Sequence, residues 1–506
     1  MLTVAAILIT TAGAWPLVRL LGISGFRHRL RAFPSIAIGL PLVLVSYLLG
    51  VFGLAWRAPR ALQALAVLVV VGLAIALWRS RPSYGHDRGL PPGRLILFRP
   101  DVWRDRRFYL REASRYGPIF KVCHVVRPMV CIADMRLGAD VLREHEGSLV
   151  PAALPYSRNI PKGFLRYMDA HDRRAYVPLF RAAFTTAVVD EAQADFQRII
   201  RDGLGEMAVQ SGRRGIPPTR GLQQMVYRSL TRVMLGLDWR APAARRLAAL
   251  HMRLDYATAW RTPPWRTKKT LEEIGRIVEE LAARAPDGRS SVMSELVRSA
   301  PASLNDPTVV GNLAYILLNG WRDGSGLFAW IVKTLGDHSE WHLRVREAAS
   351  RPDGDADVPA RIVRETLRLH QSEYIQRLVR RDLRIDRFLV PRGWLLRVCV
   401  WEGHRSAATF RDPERFDPDR HLGEGCARPA YSPFGASRAW CIGEDLMLTL
   451  ARTLVVEISR FDWAIVADGP PELGDFHWQP SSKLRIRLAR REDATAPARI
   501  APSVAR

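Results

Sequence analysis

The segment Phe434-Gly-Ala-Ser-Arg-Ala-Trp-Cys441-Ile-Gly443 constrains this chain more than any other. It carries one cysteine on a glycine-flanked loop just before an apolar run, Leu446 to Ile458, which reads as a helix. A helix starting after Cys441 puts its N-terminus near the sulfur and favours the thiolate. Gly435 and Gly443 let the backbone approach closely. These are the parts a metal-ligating sulfur needs, because neighbouring hydrogen bonds tune the metal. A buried structural cysteine is equally consistent with this segment alone.

Two further motifs precede the loop. Glu365-Thr-Leu-Arg368 places an acid and an arginine on one helix face. Pro413-Glu-Arg415-Phe416 follows, and Cys441 comes after it. An acid–arginine pair alone is commonplace; the three in this order are not. Together they resemble the cytochrome P450 family, the haem-thiolate monooxygenases, in its bacterial type, over roughly Pro92 to Leu488. The resemblance implies a mainly α fold with small β-sheets, a triangular-prism helical domain plus a β-rich region. It implies haem b (iron protoporphyrin IX) with Cys441 as the metal ligand, whose electron push favours O–O cleavage. Phe434, Gly435 and Gly443 match the haem loop, and Glu365, Arg368 and Arg415 match a structural network. The loop departs from the family at Ser437, where a glycine is usual, and at Arg438, a basic residue one place early with Ala439 in its slot. Arg438 is still expected to reach a haem propionate. Arg377 sits where the family places a propionate-binding arginine, a pairing that suits guanidinium and carboxylate. His171 resembles another propionate contact, although Ala175 replaces the arginine usual four residues on.

The long helix expected over Val309 to Leu335 breaks the family pattern. In place of Ala/Gly-Gly-x-acid-Thr it reads Asn319-Gly320-Trp321-Arg322-Asp323-Gly324. Gly320 is kept, Arg322 takes the acid position and Asp323 the threonine position. Dioxygen activation needs two protons, and a carboxylate at 323 can relay them if its pKa suits. Arginine is permanently charged and cannot; Arg322 can instead anchor a substrate carboxylate, as in peroxide-using family members, or pair with Asp323. Gly320 and Gly324 each weaken a helix by roughly 1 kcal/mol, as a local distortion or a close packing contact would require. Asn319, Tyr374 and Ile375 are expected to face the substrate.

Ahead of this region, Met1–Val18, Phe33–Trp56 and Ala61–Trp78 are uncharged stretches near the length that spans a bilayer, and beyond Arg19 the first run continues to Ile23. Spans over 2–23, 33–56 and 61–78 are expected. Arg27, Arg29 and Arg31, then Arg79, Arg81 and Arg88, put the large domain in the cytoplasm by charge asymmetry. Five cysteines without CxxC spacing suit a reducing compartment. The expected organisation is a membrane anchor over 1–81, a linker over 82–94, a catalytic domain over 95–490 and a disordered tail over 491–506. The expected location is multi-pass in a bacterial inner membrane. The formal charge of +25 invites nucleic acid, but zinc-finger spacing and glycine-aromatic RNA-binding signatures are absent from the sequence; anionic lipid or an acidic partner suits it too. The function expected is insertion of oxygen into an apolar small molecule, with electrons from a ferredoxin or similar donor. A peroxygenase and a catalytically silent haem-binding membrane protein are the rivals.

Overall fold

In a computed structural model the described residues are 89–95, 101–124, 127–151, 160–168, 170–254, 264–284, 289–351, 355–371, 373–423, 426, 428–437, 440–474 and 477–491. The three apolar segments, Arg438 and the expected tail beyond 491 lie outside them. Among the described residues no helix is long and apolar enough to cross a membrane.

The chain divides into two compact units. One is built from residues up to 133, 144–152 and 376–398. It holds the short helices α1 (Asp101–Arg104) and α2 (Phe108–Tyr116) and the strands β1 (Ile119–His124), β2 (Arg127–Ile132), β3 (Leu149–Pro151), β4 (Ile375–Val379), β5 (Leu383–Ile385), β6 (Phe388–Val390) and β7 (Leu395–Val398). Five of them form a sheet in the order β1-β2-β7-β4-β3. β1 and β2 pair antiparallel and β2 and β7 parallel. α2 stops at Gly117, whose N–H donates to the Ala113 carbonyl at 2.9 Å, and the β1–β2 hairpin follows. Part of the expected linker is instead tied to this unit. Lys121 donates from its backbone to the Pro92 carbonyl at 2.7 Å, and a Cβ on Gly93 would meet the Lys121 carbonyl at 2.1 Å. Only glycine permits that approach.

The other unit carries α3 (Met135–Glu144), α4 (Ala170–Ala183), α5 (Thr186–Glu191), α6 (Gln193–Gln210), α7 (Thr219–Leu235), α8 (Pro242–Arg253), α9 (Pro264–Ala282), α10 (Val292–Ser299), α11 (Pro307–Asp337), α12 (Ser339–Ser350), α13 (Val358–His370), α14 (Val400–Gly403) and α15 (Glu444–Ile458). The strand pairs β8 (Phe461–Ala467) with β11 (Arg485–Arg490), and β9 (Glu472–Leu473) with β10 (Trp478–Gln479), complete it. α11 runs through the core of this unit, packing on α7, α9, α13 and α15. Its start is fixed by Asp306, whose carboxylate accepts from the Thr308 backbone at 2.7 Å and from the Tyr176 hydroxyl at 2.6 Å, with Pro307 at the first position where no donor is lost. α9 begins at Pro264, again a proline in the first turn.

Candidate active site

Cys441 ends a tight loop. Its backbone N–H donates to the Phe434 carbonyl at 3.0 Å, closing the segment into a ring. Gly435 takes φ 107° and Ser437 φ 60° to make the turn. Ser437 replaces the family's glycine yet adopts the left-handed backbone that glycine provides without penalty. Below the loop, Ser432 donates its backbone N–H to Nε2 of buried His404 at 3.0 Å. Past the cysteine, Gly443 caps α15 and its N–H reaches the Cys441 sulfur. A salt-bridged clasp holds the same spot. Arg428 lies 3.4 Å over the Trp440 ring and pairs with both Glu444 oxygens at 2.9 and 3.0 Å, while Trp440 Nε1 donates to Glu444.

The Cys441 thiol lies deep among protein atoms, and burial pushes it up to about 11 against the pull of the Gly443 N–H and the Arg166 charge. Its side chain nevertheless faces open space. The same holds for Asp323 and His477, whose side chains are 48% and 30% exposed although both are strongly desolvated. A side chain enclosed by protein yet open at its tip suits the lining of a recess. A lone thiolate is costly here; a metal cation on the sulfur reverses that balance. These residues therefore fit a haem iron on Cys441.

α11 supplies the opposing polar group. Gly320 and Gly324 do not interrupt the helix. A Cβ on Gly320 would meet Leu230 of α7 at 3.3 Å, and one on Gly324 would meet Met447 of α15 and Val226 of α7 at 3.0 Å each. Both glycines are close-packing points between helices. Asn319 donates back to the Tyr315 carbonyl at 2.8 Å. Arg322 donates to the Leu254 carbonyl just past α8 at 2.7 Å. Asp323 lies 3.4 Å from Nε2 of His477. Burial acts to raise the Asp323 carboxyl, but the His477 bond and the charges of His477, Arg166 and Arg322 outweigh it and hold it below its usual range.

The Glu365–Arg368 pair is fully buried and bidentate, at 2.8 and 2.7 Å. Arg368 also donates to the carbonyls of His404, Pro413 and Arg415. Here the structure differs from the sequence expectation. Arg415 enters through its carbonyl; the side chains that reach Glu365 are those of Arg420, at 2.9 Å, and His421, at 3.0 Å.

The remaining candidates are more scattered. Arg377 lies on β4 and donates to the Gln376 carbonyl. His171 is an exposed residue at the start of α4, 3.5 Å from Asp172. Tyr374 is half-buried and Ile375 buried where β4 begins. Sequence reasoning missed His477 and Arg166. Neither lies in a motif, and their proximity to Asp323 arises only from the fold.

Residues 360–484 match the family model described as Cytochrome P450. A rice protein, cytochrome P450 714D1, is 30% identical over 42% of this chain and 42% of its own length. The cyclooctat-9-en-7-ol 5-monooxygenase of Streptomyces melanosporofaciens is 25% identical over 57% of this chain and 64% of its own. The chain thus spans less than two thirds of either relative. The structure titled retinoic acid bound cyanobacterial CYP120A1 superposes with a TM-score of 0.67 at 18% identity, covering 80% of this chain and 100% of that one.

Proposed function

The chain belongs to the cytochrome P450 family, and from that premise we propose that it is a membrane-anchored haem-thiolate monooxygenase acting on an apolar small molecule. The observation that carries this is the Cys441 thiol, hydrogen-bonded by Gly443 and facing a cavity bordered by Asp323. Bound haem b supplies dioxygen activation and transfer of one oxygen atom. Cys441 would hold its iron through the sulfur. The Gly443 N–H and the N-terminus of α15 stabilise its anion. The Arg428–Trp440–Glu444 clasp keeps the loop from shifting. Asp323 holds a carboxylate at the cavity wall where a proton relay needs one. Arg438, Arg377 and His171 are proposed to meet the haem propionates, and Asn319, Tyr374 and Ile375 the substrate.

Engagement of Arg322 with the Leu254 carbonyl favours a structural role over anchoring a substrate carboxylate. That supports dioxygen with a separate donor over peroxide. An acidic ferredoxin suits the charge of +25, and the segments at 2–23, 33–56 and 61–78 suit a bilayer anchor with the catalytic domain on the cytoplasmic side. Carbonate extraction should leave the full chain in the membrane and release a chain beginning at residue 82; release of the full chain would refute the anchor. The reduced protein under carbon monoxide should give the strongly red-shifted Soret band of thiolate-bound haem, and Cys441→Ser should lose it. Haem-loaded protein without that band would overturn the assignment.

A further inference from the structure

Asp323 and His477 come from elements far apart in sequence, yet the fold aims one at the other. His477 directly precedes β10, in the β9–β10 hairpin. The hairpin is pinned on two sides beside it. Trp330 of α11 donates its indole N–H to the Trp478 carbonyl at 2.8 Å, and the Trp478 backbone N–H donates to buried Glu373 at 3.3 Å. The backbone of Asp323 is held as firmly, since Gln371 donates its side-chain amide to the Asp323 carbonyl at 2.7 Å. Both side chains are therefore presented from fixed backbone.

We propose that His477 is the positioning residue for Asp323: it holds that carboxylate charged and aimed into the cavity, where it orders the water that delivers protons. This rests on the haem-thiolate reading above. Each hydroxylation consumes substrate, dioxygen, two electrons from the donor and two protons from solvent, and yields alcohol and one water. The protons pass through water ordered at Asp323, and His477 keeps its own while Asp323 is ionised.

The electrostatics agree with the geometry. Burial acts to neutralise His477, but its bond to Asp323 and the charges of Asp323 and Glu373 prevail over burial and Arg166, and the imidazole is held above its usual value. Asp323 faces His477 on the hairpin, Arg166 on the turn at Leu165–Tyr167, Arg322 on its own helix and Cys441 on the loop. Nδ1 of His477 is buried without a hydrogen-bond partner among the described residues. A buried polar nitrogen of this kind calls for a water, which suits a proton path.

The test uses the haem-loaded full chain. The carbonyl stretch of its carbon monoxide complex should show a pH-dependent shift that Asp323→Asn abolishes. His477→Gln should move that transition to higher pH, because burial then acts on Asp323 against the charges of Arg166 and Arg322 alone. It should also cut product per electron pair by about tenfold, less than the roughly hundredfold or more of a full general-acid contribution, because Asp323 itself remains. His477→Arg, which keeps a permanent cation, should retain the low transition and most of the coupling. A normal red-shifted Soret band in every variant, with carbonyl stretch and coupling unmoved in His477→Gln, would sink the role of His477 while leaving the haem assignment standing. Loss of the Soret band in the parent protein would instead remove the assignment itself.

Discussion

At the scale of single residues, the loop ahead of Cys441 turns through a serine where the resemblance implies a glycine. Ser437 sits at φ 60°, in the left-handed region that a side chain occupies at a cost of roughly 1 kcal/mol. Ser437→Gly is expected to stabilise the protein by up to about 1 kcal/mol, part of the gain being offset by the greater freedom of glycine when unfolded. Urea midpoints of the two haem-loaded proteins check this; a lower midpoint for the variant refutes it. The same scale shows what the chain discloses before folding. The Glu365–Arg368 pair is legible because the two lie one turn apart on a helix, and local spacing fixes that contact. The Arg420 and His421 contacts to Glu365 lie just past the Pro413–Phe416 motif, where no local spacing ties them to the Glu365 helix. His477 leaves no trace in the sequence, because its relation to Asp323 depends on where a hairpin lands against a helix.

At the scale of elements, α11 is the member on which the site depends, and its glycines are spacing devices rather than breaks. The hydrophobic periodicity discloses the helix from Val309 to Leu335, and the structure extends it to Pro307–Asp337 because the Asp306 cap and the proline fix its start. The reason for Gly320 and Gly324 is not legible, since it lies in the neighbours they admit. At Gly320 a methyl would meet only the flexible end of Leu230 at 3.3 Å, so the helical gain of alanine, about 1 kcal/mol, should prevail. At Gly324 a larger side chain drives into Met447 and the stiff Val226, and overpacking costs about 1–3 kcal/mol. Thermal unfolding should therefore rank Gly320→Ala at or above the parent and Gly324→Leu below it. The reverse order would show that the helices are not in contact at Gly324.

At the scale of the whole molecule, the buried histidines make the fold sensitive to acid. Burial, reinforced by Arg368 and Arg405, pushes His404 down to about 3, and burial leads in bringing His251 and His342 to about 4. All three stay neutral when folded and take up protons near pH 6.5 when unfolded. Stability is then lost as pH falls from about 6.5 toward 4, at roughly 4 kcal/mol per pH unit when all three contribute. Glu365 adds to the loss lower down. Its carboxylate, which burial would raise, is held at about 2 by Arg368 and His421, so its contribution is intact above about pH 4.3 and disappears between there and pH 2. Urea titrations at pH 7, 6 and 5 should show the decline, and His404→Gln should flatten it. A stability that does not change over this range would contradict the neutral buried imidazoles.

The sheet order β1-β2-β7-β4-β3 also sets a timetable for synthesis. β2 pairs with β7, Ile132 opposite Val398, across about 260 intervening residues. At the usual pace of 5–20 residues per second, the hairpin of β1 and β2 leaves the ribosome roughly 13–50 s before its mate is made. Through that interval Val130 and Ile132, buried in the finished sheet, have no β7 to cover them. Nascent chains arrested before residue 395 should be cut by protease within Ile119–Ile132, and chains arrested well past 398 should be protected there.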